Sequence, residues 1–160
     1  MVDKQNKMTL IVLSGDMDKV MAAFIIASGA AAMGTEVVIF YTFWGLKAIQ
    51  KDGRLTGKGL LGRMLGVMNR GGLNVIGPSR LNMGGMGRWM FKLMMKQKGV
   101  TQLPELRDAC LALGVRMLPC QMSMDVMEID RADLIDECEA PVGVATMLEH
   151  AQASSMMYFI

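Results

Sequence analysis

The chain has 160 residues, 52% of them hydrophobic and 20% charged, a net charge of +2 and three cysteines. This length and apolarity exclude a disordered chain and suffice for one domain with its own core, with no disulfide or structural metal required. An odd cysteine count, and an N-terminal MVDKQNKMTL without a signal-peptide pattern, lead to the expectation of a cytoplasmic protein with reduced thiols. The surplus of apolar residues leads to that of an oligomer.

TLIVLSG, residues 9–15, is a short branched apolar run ending at a turn signal, as a buried parallel strand does. Asp16 or Asp18 then caps a helix through DKVMAAFIIASGAAAMG, which carries Met21, Phe24, Ile25 and Ser28 along one face and small alanines on the remainder, and is expected to pack closely on a sheet. Its longest apolar stretch, residues 20–33, is shorter than the roughly 20 residues that span a bilayer. EVVIFYTF, residues 36–43, reads as a second strand, and WGLKAIQKDG as the start of a second helix. Strand, helix, strand, helix is the pattern of a parallel α/β layer fold.

The pattern breaks at Gly53. Residues 53–104 hold nine Lys or Arg, twelve Gly and seven Met, with no Asp or Glu. The expectation is an insertion or lid at about 53–100, with GMGRWMFKLMMKQKG as its one clear helix. Such a block is a mobile cover, a peripheral membrane contact, a docking face for an acidic partner, or a plain solvated loop. Nucleic acid is not expected, because only Trp89 and Phe91 offer stacking groups there and no binding motif occurs.

Regular signals return at TQLPELRDACLALG, a helix with Pro104 in its first turn, Gly114 after its end and Leu103, Leu106, Cys110 and Leu113 on one face. VRMLPC, residues 115–120, reads as a third strand, with Ser123 capping a short helix to Met127. Cys138, between Glu137 and Glu139, reads as an inward strand position. VATMLEHAQA reads as a last helix, which places His150 near its C-terminus as an exposed cation. SMMYFI reads as a final strand.

In an open parallel sheet, reactive groups collect beyond the carboxyl ends of the strands. Cys120 falls at such an end, with Ser14, Gly15 and Asp16 from the first loop, Thr42, Phe43 and Trp44 from the second, and Gln121 and Ser123 after it as the walls of a site. Beside backbone N–H groups and a helix N-terminus its thiol is expected to ionise readily, with Ser123 within reach of the sulfur. On the residues alone three readings of Cys120 stay open. It is a small core residue, a soft metal ligand with Met117, Met122 and Met124, or a reactive thiol. Cys110 and Cys138 read as core. No phosphate-loop, nucleophile-elbow or paired-cysteine motif occurs, and no metal or cofactor is expected.

VLSGDMDKVMAAFIIASGAAAMGTEVVIFYTFWGL, followed by MLPCQMSMDVM, resembles the DsrE/DsrF-like family, in its longer branch with an insertion before the cysteine segment. The most specific pieces are SGDMDK with AAAMG, FYTFWGL and CQMSMDVM, in that order. The resemblance implies a single three-layer α/β/α sandwich of flavodoxin-like architecture with a mainly parallel sheet. It also implies assembly into homo-oligomers, trimers or hexamers, and a sulfurtransferase or sulfur-carrier role. Cys120 takes the family's cysteine position, as the persulfide carrier between donor and acceptor proteins. The alternative from a different class is a non-catalytic module that docks on a membrane surface or partner through the basic insertion.

Overall fold

Side-chain alternation along the strands decides how the layers form. The computed structural model describes residues 5–160, with strands β1 (Gln5–Val12), β2 (Glu36–Tyr41), β3 (Arg116–Pro119) and β4 (Ser154–Phe159) in one parallel sheet of order β3-β2-β1-β4. Leu10 and Val12 of β1, Ile39 and Tyr41 of β2 and Met117 of β3 face one side and enter the larger core. Ile11, Val38, Phe40 and Leu118 face the other side and form a smaller cluster. The register Ile39 to Met117 and Phe40 to Leu118 keeps the two faces aligned across neighbouring strands.

The larger core is covered by helices α1 (Met17–Ala32) and α4 (Leu103–Ala112), and the smaller cluster by α6 (Val144–Ala153) through Met147 and Ala151. This is the expected three-layer α/β sandwich. Helix α1 packs closely on the sheet as expected and turns Met17, Val20, Ala23, Phe24 and Ala27 inward, while Ile25 is exposed. The helix is apolar nearly all round, so sequence periodicity carries little directional signal, and small Ala23 and Ala27 permit the close approach that packing rewards. Truncating the fully buried Phe24 to Ala costs about 3–5 kcal/mol.

Three further segments differ from the sequence reading. WGLKAIQKDG does not start an α-helix; Phe43–Ile49 is a 3-10 segment that buries Leu46, Ala48 and Ile49. Cys138 is buried as expected but lies in a turn, not a strand. Between 53 and 100 two α-helices form: α3 (Met86–Gln97), which was expected, and α2 (Leu60–Met68), which was not. Gly62 and Gly66 make LLGRMLGVM read as loop. In the fold, the absent Cβ at Gly66 leaves room for the Thr56 carbonyl, and at Gly62 for the Glu128 carboxylate.

The segment between 53 and 100 packs against the rest of the chain. Leu73, Ile76 and Met95 enter the larger core. Asp18 in the first turn of α1 accepts hydrogen bonds from the backbone N–H and hydroxyl of Ser79, both at 2.8 Å. The Glu128 carboxylate accepts from the backbone N–H groups of Lys58 and Gly59, the residues just before α2, where a negative charge suits the helix N-terminus. Those donors hold the Glu128 carboxyl below its usual range.

Candidate functional site

Cys120 ends β3 and is itself the N-cap of α5 (Gln121–Val126), so Ser123 lies inside the helix's first turn and does not cap it. The Cys120 N–H donates to the Tyr41 carbonyl at 2.9 Å, its carbonyl accepts from Met124 N–H at 3.0 Å, and a parallel bridge joins it to Val142. These bonds extend β3 by one residue and fix where the side chain emerges. That side chain lies on the α6 face with Phe40, Leu118 and Met147 and is 4% exposed. The reactive-thiol reading assumed an exposed Cys120. Alternation from Leu118 turns it toward α6 instead, and the Val142 segment covers the strand end.

Thr42 and Ser123 are the predicted wall residues that stand beside the cysteine backbone. Their hydroxyls are 2.8 Å apart, joining the end of β2 to α5, so the Ser123 hydroxyl is engaged with Thr42. Gln121 is exposed, its side-chain amide donating to Asp125 at 2.7 Å. Phe43, at φ 44°, holds a left-handed conformation that bulky residues rarely adopt, and together with Trp44 it forms an exposed aromatic step beyond β2.

Ser14, Gly15 and Asp16 follow β1, which β2 separates from β3, and they gather around a different feature. The Ser14 hydroxyl donates to Asp16 at 2.8 Å, and Gly15 sits where any Cβ would strike the Trp44 carbonyl and the Lys47 side chain. Gly15, Asp16 and Lys47 line a cleft of about 280 Å3 whose other walls, among them Arg70, Asn82 and Arg88, come from the insertion. Lys47, Arg70 and Arg88 were missed in the sequence because no local pattern links cations 41 residues apart; the dense basic block was the one available signal.

The three cysteines are free thiols in different surroundings. Burial pushes Cys110 up to about 11 and Cys138 up to about 12. The Cys110 thiol donates to the Phe24 carbonyl at 3.4 Å. Both stay protonated at neutral pH and are poor nucleophiles. The soft-ligand set is not assembled around Cys120: Met117 and Met124 belong to the opposite core, and Met122 is exposed. His150 lies in the last turn of α6, as expected, where its carbonyl accepts from the Ser154 hydroxyl.

One feature had no sequence signal. Tyr41 is fully buried, and its hydroxyl is the buried side-chain oxygen left without a hydrogen-bond partner among the described residues. Burial first, and then the neighbouring Cys138 and Cys110, raise its pKa well above the usual phenol value.

A parallel four-strand sheet, a buried cysteine at the carboxyl end of edge strand β3 and helices on both faces define an α/β sandwich of the DsrE type. The match to the DsrE/DsrF/DrsH-like family runs over residues 4–159, and the chain belongs to that family. It is 40% identical over 161 residues to the uncharacterised protein YrkE of Bacillus subtilis (strain 168), covering all of both chains. It is 36% identical over 159 residues to the sulfur carrier protein DsrE2 of Allochromatium vinosum, covering 98% of this chain and 99% of that one. The crystal structure of the YchN protein of E. coli superposes with a TM-score of 0.54 at 11% identity, covering 96% of this chain and 99% of that one, and it shares the fold.

Proposed function

We propose that this protein is a cytoplasmic sulfur carrier that holds sulfane sulfur as a persulfide on Cys120 and passes it to a partner thiol. The observation that carries the reading is the position of Cys120, at the carboxyl end of β3 and the N-terminus of α5, whereas Cys110 and Cys138 lie inside the larger core. Membership of the DsrE/DsrF/DrsH-like family and the likeness to a sulfur carrier protein support it.

The chemistry needs no cofactor. The Cys120 thiolate attacks the outer sulfur of a donor persulfide, the new S–S bond forms as the donor's S–S bond breaks, and the donor leaves as a thiolate. The acceptor thiolate then attacks the outer sulfur of Cys120–S–SH and Cys120 departs as the leaving thiolate. Sulfane sulfur moves with no net oxidation. Because Cys120 is buried, loading requires α5 and the Val142 segment to open locally. The exposed edge strand β4, with Met157, Tyr158 and Phe159 outward, supports assembly into a homo-oligomer, a trimer or hexamer.

Intact-protein mass spectrometry after exposure to polysulfide tests the reading. The wild type and Cys110→Ala gain about one sulfur mass and Cys120→Ala gains none, as expected when one thiol is the reactive nucleophile. Loading that survives in Cys120→Ala overturns it.

A second reading rests on one observation: α2 and α3 leave Leu60, Leu61, Trp89 and Met90 exposed among the nine cations of an acid-free block. That combination suits docking on an anionic membrane surface. No helix among the described residues is long and apolar enough to cross a membrane. Co-sedimentation with anionic liposomes that is lost in Leu60→Ser with Trp89→Ser, both exposed positions, and unchanged in Cys120→Ala, favours it.

A further inference from the structure

The cations of this fold divide by their surroundings. Lys51, Lys58 and Arg116 each meet a carboxylate within 3 Å. Lys47, Arg70 and Arg88 meet none within ion-pairing distance among the described residues, and all three line the same cleft of about 280 Å3. The one carboxylate in its wall, Asp16, is already occupied by Lys19 at 3.4 Å and by the Ser14 hydroxyl.

Lys47 and Arg88 are held in place with donors to spare, while Arg70 is exposed at the wall. The Lys47 stem packs against Gly15, and its ammonium stands 5.7 Å from the centre of the Trp44 ring. It makes no hydrogen bond among the described residues, and burial lowers its pKa, an effect the nearby Asp16 carboxylate only partly offsets. The Arg88 guanidinium donates one N–H to the Val75 carbonyl, which fixes the plane of the fork and leaves its other donors available. Asn82 adds an amide to the wall, and Gly84 and Gly85, both at positive φ, carry the chain around the rim.

The cleft lies beyond the carboxyl ends of β1 and β2, where parallel α/β sheets gather ligands, and a concave site in which cations outnumber carboxylates three to one concentrates anions. Three cations and a side-chain amide lining one cleft match a compact, multiply charged acceptor better than a single carboxylate. We propose that this cleft binds a small tetrahedral oxyanion of the phosphate class, free or as the terminal group of a phosphate monoester, through Lys47, Arg70 and Arg88. The site is separate from Cys120 and stands whether or not that residue carries sulfur.

Isothermal titration calorimetry of the full chain with inorganic phosphate and with glycerol 3-phosphate, against sodium chloride at matched ionic strength, tests it. The wild type is expected to give saturable one-to-one binding that chloride does not reproduce. Arg70→Gln, an exposed position that leaves the fold intact, is expected to weaken binding about tenfold, as loss of one charge-assisted contact does. Lys47→Gln and Arg88→Gln are expected to do the same, while Lys98→Gln, away from the cleft, keeps wild-type affinity. Tighter binding of glycerol 3-phosphate assigns the monoester, and equal or weaker binding assigns the free oxyanion. No saturable binding of either probe, or equal affinity in Arg70→Gln and Lys98→Gln, overturns the proposal.

Discussion

The hydroxyls of Thr42 and Ser123, 2.8 Å apart, join the loop after β2 to the first turn of α5. Ser123 has no exposed surface, and this is the side-chain bond that holds the short helix carrying Cys120 against its neighbour strand.

Ser123→Ala therefore leaves the Thr42 hydroxyl without its partner and loosens α5. A loss of about 1–2 kcal/mol in global stability is expected, since a hydrogen bond is removed at a buried position. Urea unfolding measures it. The rate of Cys120 alkylation in the native protein, followed by peptide mass spectrometry, should rise in the same variant.

Arg116 connects this region to the edge of the sheet. Its guanidinium donates to Glu139 at 2.6 and 3.0 Å and lies 3.9 Å from Glu36. Hydrogen bonding from Arg116 holds the Glu139 carboxyl below its usual range. A depressed carboxyl contributes stability above its unfolded pKa and loses it as pH falls through the folded one. Below about pH 4.5 the 139–143 segment over Cys120 should loosen, and Glu139→Gln should reproduce that at pH 7. The pair is partly exposed, so the stability change is small, about 0.5 kcal/mol. The sensitive readout is hydrogen exchange at Val142, whose N–H donates to Pro119.

At the alkaline end the buried thiols act in the opposite sense. Cys110 and Cys138 move from an ordinary value of 9.0 to about 11 and about 12. A raised folded pKa means that the unfolded chain releases protons first, so their contribution is intact below about pH 9 and is lost as pH rises toward 11. Stability measured by urea midpoints should fall across that window. Cys110→Ala with Cys138→Ala should flatten the fall, at the expense of a lower stability at neutral pH.

Tyr41→Phe removes the buried hydroxyl that lacks a partner. The ring keeps its packing against the larger core, so the variant is expected to be more stable than the wild type by about 1 kcal/mol. A loss of stability would show that the hydroxyl is hydrogen-bonded in solution.

The residues alone determined the layer order and the strands. The runs at 9–15, 36–43 and 115–120 read as buried parallel strands, and strands form within each, while Pro104 and Gly114 delimit α4 as local chemistry requires. The quoted motifs also sufficed to place the chain in its family.

Tertiary structure decided the rest, because each remaining feature depends on what lies across space. The inward face of α1 is set by the sheet and α4, since an almost uniformly apolar helix has no preferred side of its own. Helix α2 forms in spite of two glycines because their missing side chains admit Thr56 and Glu128. The strand end that carries Cys120 was legible, but its burial was not, since that comes from α6 and from Val142 arriving 22 residues later. The predicted wall divides for the same reason. Thr42 and Ser123 meet beside Cys120, whereas Gly15 and Asp16 are claimed by Lys47 and the insertion, because β2 lies between the ends of β1 and β3.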